Sequence, residues 1–108
     1  MLFRSYGAIT QYSGGICGQY TDSIIINKCW SLGAINNDGG GIIGANAVNC
    51  TVTNSYSFGT MQPNAGGIYG VYADTCVASA CYSHGSMSIN SGGIFGAQAS
   101  QKIGRAHV

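Results

Sequence analysis

Short apolar runs recur along this chain between glycine and asparagine residues, and they recur every 26 residues. The clearest marker is Gly-Gly-Ile-x-Gly, which is found at 14–18, 40–44, 66–70 and 92–96. A second marker, an aromatic residue followed by Ser-x-Gly, keeps the same period within 29–33, 55–59 and 81–85. A fixed period of this length predicts a repeat protein, in which each unit buries its apolar side against its neighbours.

The apolar runs predict strands rather than helices, because they are short, rich in β-branched residues and bounded by Gly and Asn. We expect three strands in each repeat, around 15–19, 24–31 and 34–37 in the first whole repeat. Glycines such as Gly33 are expected to turn the chain at the corners between them. Equivalent strands of successive repeats would pair in parallel, about 4.8 Å apart. The predicted fold class is all-β: a parallel β-helix, or β-solenoid, of about four coils.

Superimposing the repeats at this period places similar residues in columns. One column is isoleucine in all four copies of the first marker, and a second holds only Ile and Met. A third column contains Val52. These columns predict a stacked interior, whose core residues would be Ile16, Ile42, Ile68, Ile94, Ile35, Met61, Met87 and Val52.

The direction in which the aromatic side chains point can be predicted from the charge of Lys28. Strict alternation from a buried Val52 would also bury position 54, whose equivalent in the preceding repeat is Lys28. A buried unpaired charge is costly, so we expect a bend near 53–54 that turns the aromatic residues outward. The opposite orientation, with the aromatic residues inside, stays open. The outward stripe would comprise Trp30, Tyr56 and Tyr82, bordered by Leu32, Phe58 and His84.

The repeats define one domain. We expect residues 1–102 to form a single β-solenoid unit with partial repeats at both ends and three whole repeats at 14–39, 40–65 and 66–91. Because repeat columns are already legible at Phe3, the chain is expected to be a fragment of a longer protein. Residues 103–108 break the side-chain pattern, and they resemble the translation of a common sequencing adapter. We therefore expect 103–108 to be a non-native tail.

Composition excludes several classes of protein. Charged residues make up only 6% of the chain, against about 25% in an ordinary soluble domain. Disorder is disfavoured, because disordered chains combine low hydrophobicity with high net charge. The net charge of +1 argues against a nucleic-acid partner. No run approaches the roughly 20 apolar residues of a membrane span.

The five cysteines are interpreted as small buried hydrophobic residues, because they share columns with apolar residues. Cys50 and Cys76 lie one repeat apart, so a disulfide between them is geometrically feasible in an oxidising compartment. Their spacing does not match that of zinc ligands, and no metal site is predicted.

Candidate catalytic groups are scarce. Asp22 and Asp74 lie two repeats apart, or about 9.6 Å, near the carboxylate spacing of inverting glycosidases. Val48 lies between them, however, and nothing in the sequence indicates a cleft. His84 falls in an aromatic column, and no catalytic triad or phosphate-binding loop is present. We therefore predict no catalytic, cofactor-binding or metal-binding residues, and no enzyme.

The two markers resemble the GLUG-motif repeats of large surface proteins. The closest copy runs from GGIIG at 40–44 through NCTVTNSYSFG at 49–59, and the resemblance spans 3–101. Frequent cysteine and longer spacers depart from that pattern. Such repeats look like β-solenoid modules of adhesins and secreted peptidases, in which catalysis belongs to a separate domain. The resemblance therefore implies a non-catalytic module at a cell or virion surface.

These observations favour a structural repeat module from a larger surface, fibre or adhesin-like protein. Its partners would be the neighbouring repeats of its own longer chain, and the fragment would associate end to end through unpaired strand edges. The alternative is a module that binds glycan or protein through the aromatic stripe. An ice-binding face is a weaker variant, because the outward columns are not continuous rows of threonine.

Overall fold

In a computed structural model, the described residues are 4–5, 7, 9–99 and 103–106, with only the backbone described for 4–5 and 103–106. Within these ranges the chain contains β-strands and no helix, so the predicted all-β class is confirmed. The strands are β1 (Arg4–Ser5), β2 (Ile25–Asn27), β3 (Trp30–Ser31), β4 (Thr51–Thr53), β5 (Tyr56–Ser57), β6 (Val77–Ser83) and β7 (Ile103–Ala106).

All the strand pairs in the described ranges are parallel, in the order β1-β3-β5-β6-β4-β2 with β7 also paired to β6. Tyr56 pairs with Trp30 on one side and with Tyr82 on the other, each 26 positions away in the sequence. Val52 is flanked in the same way by Ile26 and Ala78. Strand β6 is long enough to belong to both series, which joins them into one sheet.

Strand β7 lies within the segment that the sequence predicts to be a non-native tail. Its residue Ile103 pairs with Val77, again one period away, and the register shifts between Ser79 and Cys81 of β6. The backbone periodicity therefore continues through Ile103, although the side-chain pattern does not.

The segments around 15–19 and 34–37 were expected to be strands, but the structure has only single bridges there. These parallel bridges follow the same register: Cys17 pairs with Ile43, and Ile35 with Met61. Frequent left-handed residues interrupt the chain before longer strands can form. Each full repeat accordingly combines short strands with isolated bridges.

The bends are formed by residues other than glycine. Fourteen non-glycine residues have φ between 52° and 66°, and six of them are Asn or Asp, the types that tolerate this conformation best. They fall in four columns at the repeat period: Tyr12, Asp38, Asn64 and Asn90; Tyr20, Asn46, Tyr72 and Gln98; Ser23, Asn49 and Thr75; Lys28, Asn54 and Ala80.

The prediction that glycine supplies the corner conformation is therefore wrong. Among the described glycines, positive φ occurs only at Gly85, at 159°, which is close to extended backbone. Glycine is needed instead where successive repeats approach closely. A Cβ atom at Gly70 would lie 2.7 Å from the carbonyl oxygen of Asp38, 32 residues earlier in the chain, far inside van der Waals contact.

The interior follows the predicted columns in the middle of the molecule. Ile35, Ile42, Ile68 and Val52 are fully buried, and Ile16 and Ile94 are partly buried against the main cluster. Ile35 belongs to a smaller second cluster with Ile9, Met61 and Ala65.

Met87 departs from the prediction that it is a core residue. It is 54% exposed, whereas Met61, one repeat earlier in the same column, is 2% exposed. Among the described residues, Met61 is bridged to both Ile35 and Met87, whereas Met87 is bridged to Met61 alone. The two ends of this column therefore differ, since Ile9 at the first end is only 4% exposed.

Candidate functional site

The aromatic stripe lies on the outside of the sheet. Left-handed bends at Lys28, Asn54 and Ala80 lie two residues before the rings of the stripe and reverse the side-chain alternation. The residues that follow these bends, Cys29, Ser55 and Cys81, are buried. The outward orientation predicted from the charge of Lys28 is correct, and the bend lies where it was expected.

The rings of the stripe stack on one another along the repeat direction. Trp30 and Tyr56 have ring centroids 5.5 Å apart with an interplanar angle of 1°. Tyr56 and Tyr82 are 4.9 Å apart at 10°. Both faces of the Tyr56 ring are therefore covered by neighbouring rings, and its edge is directed toward solvent.

Phe58 and His84, which border the stripe, extend this stack of rings. Phe58 lies 5.1 Å from Tyr56 and 6.1 Å from Tyr82, tilted to both. His84 meets Phe58 edge-on at 5.8 Å, and Leu32 is half-buried. Phe58 and Tyr82 remain 45% and 37% exposed. The five ring-bearing residues of the predicted stripe therefore pack on one surface as a ladder.

The buried residues after the bends share one contact. The Ser55 hydroxyl donates to the carbonyl oxygen of Thr53, two residues back, at 2.9 Å. The thiols of Cys50 and Cys76 lie 3.3 Å from the equivalent oxygens, and that of Cys81 lies 3.4 Å away. A small side chain, either a hydroxyl donor or a weaker thiol donor, thus closes these bends from inside. The contact occurs in two columns, one with Ser55 and Cys81 and the other with Cys50 and Cys76.

The cysteines show no sign of chemical activation. Cys50 and Cys76 form no disulfide with each other in this structure. Burial raises the pKa of the Cys17, Cys76 and Cys81 thiols above the ordinary value. Because the thiolate is the nucleophile and the metal ligand, a raised pKa makes these thiols poor at either task.

Tyr69 is a buried polar residue in a column that otherwise holds Cys17, Ile43 and Phe95. It is fully buried, and its ring stacks on Phe95 with centroids 5.1 Å apart. Its hydroxyl lies 2.6 Å from the carbonyl oxygen of Val77 and 3.1 Å from that of Cys50. Burial raises its pKa well above the ordinary value, so the hydroxyl stays protonated as a donor. A single tyrosine in an apolar column gives no signal of these acceptors.

A second set of interior hydrogen bonds links the aromatic strands to the glycine pairs. The hydroxyl of Ser57 donates to the carbonyl oxygen of Gly67 at 2.6 Å, and that of Ser83 to Gly93 at 2.5 Å. The equivalent hydroxyl of Ser31 is buried without a partner in the structure. These serines join opposite walls of the repeat.

The two aspartates with the predicted spacing of about 9.6 Å lie on either side of Val48. Asp22 and Asp74 both bridge to Val48, which separates them. Each carboxylate accepts a hydrogen bond from the hydroxyl of the next residue, at 2.8 Å from Ser23 and 3.1 Å from Thr75. These contacts are those of ordinary polar turns.

Within the described part of the chain, no group of three His, Cys, Asp or Glu residues is placed to hold a metal ion. A separate inspection of the same residues finds no helix with the length and hydrophobicity needed to cross a membrane.

In comparisons with known proteins, no family model, no curated protein and no solved structure matches this chain. The resemblance to GLUG-motif repeats therefore stays an expectation from the sequence alone.

Proposed function

We propose that this chain is a structural module: about four coils of a parallel β-solenoid that give length and stiffness to a larger surface or fibre protein. The supporting observation is that strand pairs and isolated bridges from Ile9 to Phe95 join residues one 26-residue period apart. A repeating register of this kind builds a continuous body from short units. The proposal includes no catalytic role and no cofactor.

The mechanism is mechanical. Backbone hydrogen bonds connect each coil to the next, as from Ile42 N–H to Ile68 O and from Ile68 N–H to Ile94 O, both at 3.0 Å. Side chains of the same columns fill the interior between these bonds. Bending or separating the coils would break many such contacts together, which is the property required of a stiff spacer.

The aromatic stripe supports this proposal because its rings stack face to face with each other. Each stacked pair is worth about 0.5–1.5 kcal/mol beyond the area that it buries. Binding of a sugar ring would favour an open aromatic face, but both faces of Tyr56 are covered. The stripe therefore acts as an external ladder that strengthens coil-to-coil contact.

The alternative function is recognition of a glycan or a protein by the same stripe. It is favoured by one observation, the exposure of Phe58 and Tyr82 at the border of the stack. Exposed aromatic patches often mark contact surfaces. The two functions predict different effects for the same substitution.

The deciding experiment is Tyr56→Ala, measured by thermal unfolding and by binding to a glycan array. The structural function predicts a lower Tm, because two ring contacts are lost, and no glycan signal for either protein. The control is Tyr72→Ala, since Tyr72 is 49% exposed and lies outside the stripe. A glycan signal that Tyr56→Ala abolishes, with the Tm unchanged, would refute the structural function in favour of recognition.

A further inference from the structure

One polar pair on the outside of the middle repeat belongs neither to the core clusters nor to the aromatic stripe. Asn49 and Thr51 flank Cys50 in the motif Asn49-Cys50-Thr51. Asn49 is the one asparagine of the chain that is followed, two residues later, by serine or threonine with no proline between them. This pattern is the acceptor motif for asparagine-linked glycans, which are placed on the surface of secreted proteins.

The fold presents both polar residues of the motif on its outer surface. Asn49 is exposed and Thr51, at the start of strand β4, is half-buried, whereas Cys50 between them is fully buried. The thiol of Cys50 is directed inward and lies 3.3 Å from the carbonyl oxygen of Val48. The two side chains on either side of Cys50 therefore lie on the solvent side of the bend.

The side-chain amide of Asn49 is not used by the fold. In the same column, the hydroxyls of Ser23 and Thr75 each donate to the carboxylate of the residue before them. The residue before Asn49 is Val48, which has no polar group to offer. Within the described residues, Asn49 makes a backbone hydrogen bond to Asp74 at 3.1 Å and none through its side chain. Its amide nitrogen is therefore available to a substituent.

Asn27 shows the contrasting arrangement. It is half-buried in strand β2, and its Oδ1 accepts hydrogen bonds from Thr53 Oγ1 and Asn54 Nδ2, both at 3.0 Å. A large substituent on the Asn27 amide would have to displace these partners. At Asn49, by contrast, the left-handed backbone with φ of 54° favours asparagine and leaves its side chain unengaged.

We propose that Asn49 is the attachment site of an asparagine-linked glycan. The inference rests on the proposed function, because a surface protein meets the glycan transferase on its way out of the cell. In the transfer, Asn49 Nδ2 forms a bond to the anomeric carbon of a lipid-pyrophosphate-linked oligosaccharide. The bond from that carbon to the pyrophosphate oxygen breaks, the lipid pyrophosphate leaves with the electron pair, and Nδ2 loses one proton.

The site is tested by secreting the chain from a eukaryotic cell, directed by a cleavable signal peptide and with a second acceptor motif appended to its C terminus. The appended motif shows that each chain has met the transferase. The parent chain should carry two glycans, seen as two mobility steps during graded digestion with a peptide N-glycosidase. Asn49→Asp should carry one, because aspartate tolerates the left-handed bend but has no amide nitrogen.

Two variants of Thr51 separate the motif from the fold. Thr51→Val should lose the glycan at Asn49, and valine suits this column, which also holds Ile25 and Val77. Thr51→Ser keeps the acceptor motif and should keep the second glycan on at least part of the secreted chain. A parent chain with a glycan on the appended motif only would overturn the proposal. A second glycan that persists in Asn49→Asp would also overturn it, since another residue would carry that glycan.

The availability of this position in the folded chain is tested by stability. The Tm of the glycosylated chain should match that of the same chain after enzymatic removal of the glycans, because the Asn49 side chain makes no hydrogen bond that a glycan would break. A Tm that rises clearly when the glycan is removed from Asn49 would overturn the proposal that the fold leaves this amide open. Asn49→Asp with its single appended glycan is the control for the effect of the tag.

Two outcomes separate this inference from the proposed function. A secreted chain with a β-sheet spectrum, cooperative unfolding and a glycan on the appended motif only would overturn the attachment site and leave the structural function standing. A chain without β-sheet structure would refute the proposed function itself.

Discussion

The side chain of Ser57 occupies the space that a side chain at Gly41 would need. A Cβ atom built on Gly41 would lie 2.6 Å from the Cβ of Ser57 and would also collide with the carbonyl oxygen of Gly67. That carbonyl accepts the Ser57 hydrogen bond. The two sequence markers therefore meet in one contact. The glycine pair of the first marker carries no side chain at the point where the serine of the second marker packs.

We predict that Gly41→Ala destabilises the fold by about 3 kcal/mol or more, because one of the colliding groups is backbone and cannot move aside. Gly18→Ala is the matched control, since it adds the same methyl group where no atom lies within 4 Å. The free energy of unfolding, measured with urea at low protein concentration, should fall for the first variant only. Equal losses would mean that glycine acts through the unfolded chain rather than through close approach.

The two methionines of one column provide a test of burial. We predict that Met61→Ala costs about 2–5 kcal/mol, as expected for a fully buried methionine. Met87→Ala should cost less than about 1 kcal/mol, because Met87 is half-exposed. Parallel urea titrations of the two variants measure the difference. A larger loss for Met87→Ala would show that the repeat containing it is covered in solution.

The bend at Ala80 is predicted to be strained. Its φ of 53° costs an L-residue roughly 1–2 kcal/mol, and glycine avoids that cost. Ala80→Gly should therefore raise the free energy of unfolding by up to about 1 kcal/mol. Ala34→Gly, at an exposed site without positive φ, should lower it. Destabilisation by both substitutions would show that the left-handed conformation of Ala80 is not strained in the folded chain.

The buried hydroxyl of Tyr69 is predicted to contribute stability that depends on pH. Tyr69→Phe should cost about 1–3 kcal/mol at neutral pH, because the carbonyl groups of Val77 and Cys50 lose a donor. The raised pKa of Tyr69 means that folding favours the protonated form. Its contribution is complete below about pH 10, the value for an unfolded tyrosine, and is lost as the pH rises toward the higher folded pKa.

Urea titrations from pH 7 to 11 test this dependence. Above about pH 10, the stability of the parent chain should fall more steeply than that of Tyr69→Phe. The buried thiols of Cys76 and Cys81, whose pKa values are also raised, should add a decline from about pH 8.5 in both proteins. Identical slopes above pH 10 would indicate that Tyr69 is accessible to solvent.

The 26-residue period alone was sufficient to predict which residues pair. Residues separated by one period occupy the same position in successive repeats, and these positions lie side by side in the sheet. The outward orientation of Tyr56 also followed from elementary electrostatics, since the alternative would have buried Lys28. The pairing depends on a period that every repeat shares, whereas the orientation depended on the single charge of Lys28, whose equivalents are Asn54 and Ala80.

Features that depend on local conformation or on the ends of the stack were not predicted. The left-handed residues Tyr72 and Thr75 have types that rarely adopt this conformation, so only their column equivalents Asn46 and Asn49 carried a signal. The exposure of Met87 depends on what lies beyond it rather than on its own column. The acceptors of the Tyr69 hydroxyl come from backbone carbonyls, which are identical in every sequence.

The central claim is that equivalent residues of successive repeats lie directly above one another. Methyl NOE spectroscopy of the isoleucine-labelled chain tests it most directly, through the column Ile16, Ile42, Ile68 and Ile94. We predict strong cross-peaks between Ile42 and Ile68, at a strand spacing of about 4.8 Å, and none or very weak ones between Ile16 and Ile68, about 9.6 Å apart. A missing Ile42–Ile68 cross-peak in a folded sample, or a strong one between Ile16 and Ile68, would contradict the account.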